Sequence, residues 1–260
     1  MGEELTVNGT TVYVARPSTP PAAGVLVLHE VWGLNDDIRR IADRFASIGY
    51  LAAAPDLVDG GRLPCMIRAL RELGRGEGPT VDRTRRLLAW LRDHPECDGR
   101  VAVAGFCLGA GFALLLAGLD RPAAVSAAYG APPDDDELVA RSCPVVAHVG
   151  DRDRIFAPGI TRLERILDEA GVPHDVKVYP GAGHSFMNRA EPSSRLLGLV
   201  GRLVLRVAYD DAAAEDAWRR IERFFARYVR EEPEVVVDLT TSDRVVGDDV
   251  RTDGSGPHLG

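Results

Sequence analysis

Three stretches of this chain are apolar almost without a break: Gly24-Val-Leu-Val-Leu-His29, Arg100-Val-Ala-Val-Ala104 and Pro144-Val-Val-Ala-His-Val149. A strand with no polar alternation must bury both faces, which is how the strands of a parallel sheet covered on both sides read. Segments of helical period separate these runs. One carries Ile38, Ile41, Phe45 and Ile48 on a single stripe from about Asp36 and stops at Gly49. Others run from Val81 to Arg92, onward from Cys107, and from Ile160 to Ala170, and a last one carries Trp218, Ile221, Phe225 and Tyr228. Shorter strands are predicted at Leu51–Ala54, Ala123–Ala128 and His174–Tyr179. Buried strands alternating with amphipathic helices define an α/β fold around a mostly parallel central sheet. At the front, Leu5 to Val14 alternates around Asn8-Gly9, the signature of an N-terminal hairpin.

A chain of 260 residues can bury a substantial core. We expect one domain over residues 1–230 and a separate tail over 231–260. That tail holds eight acidic and two basic residues and is rich in Gly, so it reads as disordered. The formal charge of −8 argues against electrostatic binding of nucleic acid. Most of it belongs to the tail, because removing those residues leaves 29 basic against 31 acidic. The basic residues are Arg with the single exception of Lys177, a bias typical of a high-GC, bacterial genome. The longest clean apolar run, Phe112–Leu119, is too short to span a bilayer, so no membrane partner is expected. Cys65, Cys97, Cys107 and Cys143 contain no C-x-x-C pair, which indicates neither a disulfide framework nor a metal site and fits a reducing cytoplasm. The sequence leaves monomer and dimer equally open.

The chemistry begins at Gly105-Phe-Cys-Leu-Gly109, set between a buried strand and a helix. This is the G-x-nucleophile-x-G elbow of the α/β-hydrolase fold, with Cys107 where serine is usual. Such a turn exposes the side chain at the head of a helix, where the dipole favours a thiolate. The Leu108 N–H then points at a developing oxyanion, and a second donor is expected from the loop after the first buried strand, at Val31. In this fold the acid and then the histidine follow the nucleophile in the chain. His184, in the loop after the strand ending at Tyr179, fits as base. Asp151 and Asp153 both follow the strand ending near Val149. The usual G-x-x-D spacing selects Asp153, with Asp151 kept open. Glu30 is unusual in an oxyanion loop, and neighbouring Trp32 either lines the pocket or packs in the core.

Taken together, His29-Glu-Val-Trp-Gly33, Pro55-Asp-Leu57, Gly105-Phe-Cys-Leu-Gly109, Tyr129-Gly130 and Gly183-His-Ser-Phe186 resemble the dienelactone hydrolase family over roughly residues 5 to 230. The resemblance implies an α/β-hydrolase fold and cofactor-independent hydrolysis of a small-molecule ester or lactone, with no metal. It also implies a Cys107–His184–Asp153 triad in which Glu30 holds the resting thiol protonated until substrate displaces it. A free Cys is only a few per cent thiolate near neutrality, so such a device would limit reactivity to productive encounters. Family members carry an Arg four residues after the catalytic His, gripping a substrate carboxylate. Here that position is Asn188, with Arg189 one step on. A second such Arg is sought among Arg68, Arg71 and Arg75. The greasy stretch from Pro192 to Tyr209 reads as a lid, part of an acyl pocket or an extra packed helix. A general carboxylesterase or thioesterase, and a binding or thiol-redox protein without turnover, remain alternatives.

Overall fold

The computed structural model describes residues 2–58, 63–189 and 208–231. Eight strands form one sheet: β1 (Glu3–Val7), β2 (Thr10–Ala15), β3 (Ala22–Leu28), β4 (Leu51–Pro55), β5 (Cys97–Phe106), β6 (Val125–Ala128), β7 (Val145–Gly150) and β8 (His174–Tyr179). Their order is β1-β2-β4-β3-β5-β6-β7-β8. The hairpin β1–β2 is antiparallel and turns at Asn8-Gly9, both at positive φ (50° and 77°) as a two-residue turn requires. From β4 to β8 every pairing is parallel. The three unbroken apolar runs became the adjacent or near-adjacent strands β3, β5 and β7, buried over most of their lengths.

Seven helices are described: α1 (Asp36–Ser47), α2 (Leu63–Arg75), α3 (Pro79–Arg92), α4 (Leu108–Leu119), α5 (Asp136–Ala140), α6 (Ala157–Glu169) and α7 (Asp211–Tyr228). Helix α1 starts where Asn35 accepts from the N–H groups of Asp37 and Ile38, a side-chain cap that fixes the chain direction just after the β3 loop. Phe45 of α1 meets Trp218 and Phe225 of α7 at centroid distances of 5.2 and 6.0 Å, so these two helices share an aromatic core. Helix α6 begins three residues ahead of the expected Ile160, because Pro158 suits the first turn of a helix. No described helix is long and apolar enough to cross a membrane. The expected tail, from residue 232, and most of the stretch 192–209 lie outside the described residues.

His148 on β7 is fully buried, and neither ring nitrogen has a hydrogen-bond partner among the described residues. Burial pulls its pKa from 6.5 down to about 4, more than nearby Asp175 can restore. Below pH 6.5 the unfolded chain therefore takes up this proton first, and stability falls until about pH 4. The gap corresponds to about 3 kcal/mol. We expect the urea midpoint of the wild type to drop more steeply between pH 7 and pH 4.5 than that of His148→Leu. Parallel slopes would contradict this assignment.

Candidate active site

Strand β5 ends at Phe106 and helix α4 starts at Leu108, which leaves Cys107 to make the whole turn. It does so at φ 53°, ψ −113°, a backbone conformation that L-residues rarely adopt and that active sites retain. Two glycines make the turn possible by letting backbones touch. A Cβ on Gly105 would lie 2.1 Å from the Gly109 carbonyl oxygen, and one on Gly109 would lie 2.2 Å from that of Leu28. The Cys107 N–H donates to Ala128 O at 3.0 Å, tying the turn to the end of β6. The thiol thus stands half-buried at the head of α4. There the Ala110 and Gly111 N–H groups close onto Cys107 O at 3.1 and 3.3 Å, and the Leu108 N–H lies ahead of the first intrahelical bond.

After β7 the chain turns at Gly150, and Asp153 folds inward with no exposed surface. Its Oδ2 accepts from His184 Nδ1 at 2.6 Å, and both groups are buried. Asp151, the alternative, is exposed and accepts from the Gly181 N–H at 2.8 Å, so it supports the histidine loop from outside. Burial pulls the His184 pKa down, but hydrogen bonds to Asp153 and to Cys107 outweigh it and raise it to about 10. The structure therefore joins His184 to Asp153 by a hydrogen bond and sets Cys107 close enough to act on the same imidazole. Two rings flank the imidazole: Phe156 stacks on it at 4.9 Å and Tyr129 meets it edge-on at 5.2 Å.

Glu30, expected beside the thiol, has a hydroxyl partner in the histidine loop. It is buried, and its Oε1 accepts from the Ser185 hydroxyl at 2.6 Å. Ser185 sits at φ 57° in the histidine loop, and its hydroxyl reaches the loop after β3. Burial raises the Glu30 carboxyl pKa, and neither the Ser185 bond nor the charge of His184 fully offsets it. Val31 and Trp32 are half-buried in the turn that the Gly33 N–H closes onto Glu30 O at 3.3 Å. His29 braces this loop from beneath. Its Nδ1 bonds Glu30 O, its Nε2 accepts from Leu57 N–H at 2.9 Å, and its carbonyl accepts from Gly109 N–H at 3.2 Å. Burial lowers its pKa, consistent with the neutral ring that these two bonds require.

Asn188 is buried and accepts from the Tyr129 hydroxyl. Arg189 points elsewhere: its guanidinium stacks on Tyr209 at 4.8 Å, donates to the Tyr209 hydroxyl at 2.9 Å and pairs with Asp211 at 3.8 Å. Only its backbone N–H turns inward, to Asp37 Oδ2 at 3.0 Å. Arg68, Arg71 and Arg75 line an open cleft of about 740 Å³ between α2 and the start of α3, shared with Glu72 and Asp82. Sequence reasoning did not reach the contacts of Ser185, Phe156 and Asp37. No local pattern announces a contact made 155 residues away, as Ser185 makes with Glu30.

A strand–turn–helix with a cysteine at the strained turn, followed in chain order by a buried acid and a histidine on one mostly parallel sheet, fits the α/β-hydrolase fold. Comparison with known proteins narrows the class. The family model described as dienelactone hydrolase family matches residues 10–229. The carboxymethylenebutenolidase of Rhodococcus opacus is 31% identical over 235 residues, covering 83% of this chain and 85% of that protein. The protein usf of Aquifex pyrophilus is 28% identical, covering 87% and 97%. Among solved structures, a dienelactone hydrolase-like promiscuous phosphotriesterase from metagenomic libraries superposes with a TM-score of 0.73 at 24% identity, over 88% of this chain and 98% of that one. This chain belongs to the dienelactone hydrolase family. As a member it is a hydrolase of ester or lactone bonds.

Proposed function

We propose that the protein hydrolyses a small-molecule ester or lactone through a covalent acyl-enzyme on Cys107, with no cofactor. The buried Asp153–His184 hydrogen bond, with Cys107 acting on the same imidazole from the strained elbow, carries this reading. Asp153 fixes the imidazole by accepting from Nδ1, which leaves Nε2 to take the thiol proton. The sulfur attacks the carbonyl carbon, and the N–H groups of Leu108 and Val31 receive the oxyanion. Collapse breaks the acyl C–O bond, and the imidazolium returns its proton to the leaving alkoxide. In a lactone that alcohol stays tethered to the acyl group. Water, deprotonated by His184, then attacks the thioester, releases the acid and restores the thiol.

Trp32 and Asn188 flank this chemistry and shape the substrate-binding side, with Arg189 at its outer edge. The name of the Rhodococcus relative makes a carboxymethylenebutenolide the first substrate to try. Against it, Asn188 offers a neutral amide where a carboxylate grip was sought, and Arg189 is already paired with Asp211. A neutral aryl or alkyl ester is therefore the better substrate in this reading. Kinetics on a p-nitrophenyl ester beside a dienelactone tests the choice. We expect turnover of both, with kcat/KM higher for the neutral ester; a reversed preference would overturn the substrate assignment. Iodoacetamide is expected to abolish activity in step with alkylation of Cys107, followed by peptide mass spectrometry because half-buried Cys65 competes for the reagent, whereas burial holds Cys143 at a pKa of about 12 and also raises that of Cys97. Full activity after complete alkylation of Cys107 would overturn the nucleophile.

A further inference from the structure

The loop from β7 to α6 places Ile155 outside and Phe156 inside: Ile155 is 58% exposed, whereas Phe156 stacks on His184 with only 26° between the rings. Phe156 also occupies the N-cap of α6, the position where Ser, Thr, Asp or Asn would supply a capping bond, and α6 has no side-chain cap. The sequence gives up that bond for an aromatic ring. The backbone of the same residue serves the acid, because the Phe156 N–H donates to Asp153 Oδ1 at 3.3 Å while Oδ2 is engaged by His184. One residue thus touches both members of the pair, through its main chain and through its ring.

We propose that Phe156 is a positioning residue that holds Asp153 through its N–H and stabilises the imidazolium of His184 beneath its ring. This rests on the reading above that His184 is the base. During the reaction His184 alternates between neutral and charged forms. The negative face of a stacked ring favours the charged form and restrains rotation about the Cβ–Cγ bond. Tyr129 meets His184 edge-on, so the planar restraint comes from Phe156. The other groups acting on His184 are Asp153 from the same loop, Cys107 from the elbow and Glu30 from the β3 loop. The substitutions below leave all three in place.

The test is made on the full chain with Phe156→Leu, which keeps the N–H and the apolar bulk but removes the π face, and with Phe156→Trp, which strengthens that face. Two readouts are needed: the titration of His184 followed by NMR of its ring carbons, and the separate values of kcat and KM. In Phe156→Leu the titration is expected to move to lower pH by about half a unit, with kcat down about threefold to tenfold and KM nearly unchanged. Phe156→Trp is expected to restore both. A purely packing role predicts a lower Tm with an unmoved titration, and that outcome would overturn the proposal. If the leucine variant does not fold, a trifluorinated phenylalanine at position 156 keeps the shape while cancelling the negative face. Its titration must then shift in the same direction; an unmoved one overturns the proposal. His184→Ala, assayed alongside, separates the two levels: full turnover there defeats the base assignment itself, whereas lost turnover with a flat Phe156 series defeats only this inference.

Discussion

His184→Ala is expected to lower kcat/KM for an activated ester at least about a thousandfold, the scale on which a triad member that acts as a unit is lost. The imidazole has two tasks that no neighbour can take over. It holds the proton given up by the thiol, and it returns a proton to the leaving group. Glu30 is a buried carboxylate in the β3 loop, and its Oε1 already accepts from Ser185 at 2.6 Å. Cys107→Ser is expected to lose activity on a similar scale, because a hydroxyl is a far weaker acid than a thiol and the site is built around sulfur. Circular dichroism should show both variants folded, since neither change adds atoms to the core. Retention of more than a tenth of wild-type kcat/KM by either variant would contradict the triad.

Gly109→Ala is expected to cost about 4 kcal/mol or more and to abolish activity, the range reserved for changes that force backbone apart. The added methyl would sit 2.2 Å from Leu28 O and 2.8 Å from His29 O. Both are main-chain atoms of the β3 end, so no rotamer change can relieve the contact. Strand and helix must separate, and with them goes the 3.2 Å bond from Gly109 N–H to His29 O that registers the Glu30 loop against the elbow. Gly74→Ala is the control. It lies in α2 with nothing within 4 Å of an added Cβ, and is expected to raise stability by about 0.5–1 kcal/mol. Denaturant midpoints of the two variants measure the contrast; equal midpoints would contradict the close-approach account.

What could be read from the sequence follows from which interactions are local. Strands β3, β5 and β7 were visible because burial on both faces leaves a continuous apolar run, and the elbow because its glycines must flank the residue at the turn at fixed spacing. Chain order pointed to His184, and G-x-x-D spacing to the aspartate that the fold brings within 2.6 Å of it. Helix α6 was placed late because its start is set by Pro158, ahead of the apolar stripe that begins at Ile160. The partner of Glu30 was not legible. The contact joins residues 155 apart, one of them at a positive φ that no residue-type rule assigns to serine. The same holds for Arg189, whose position suggested a substrate contact but whose guanidinium is taken by Tyr209 and Asp211 at the start of α7. Contacts that bridge distant segments are fixed by tertiary packing and have no local signature.

The central claim is a thioester on Cys107. Rapid acid quench of the wild-type enzyme with a slowly deacylating p-nitrophenyl ester, followed by peptide mass spectrometry, tests it most directly. The account predicts a burst of one nitrophenolate per chain and a mass gain equal to the acyl group, on the peptide containing Cys107. Turnover with no adduct, or an adduct on another residue such as Ser185, would contradict it.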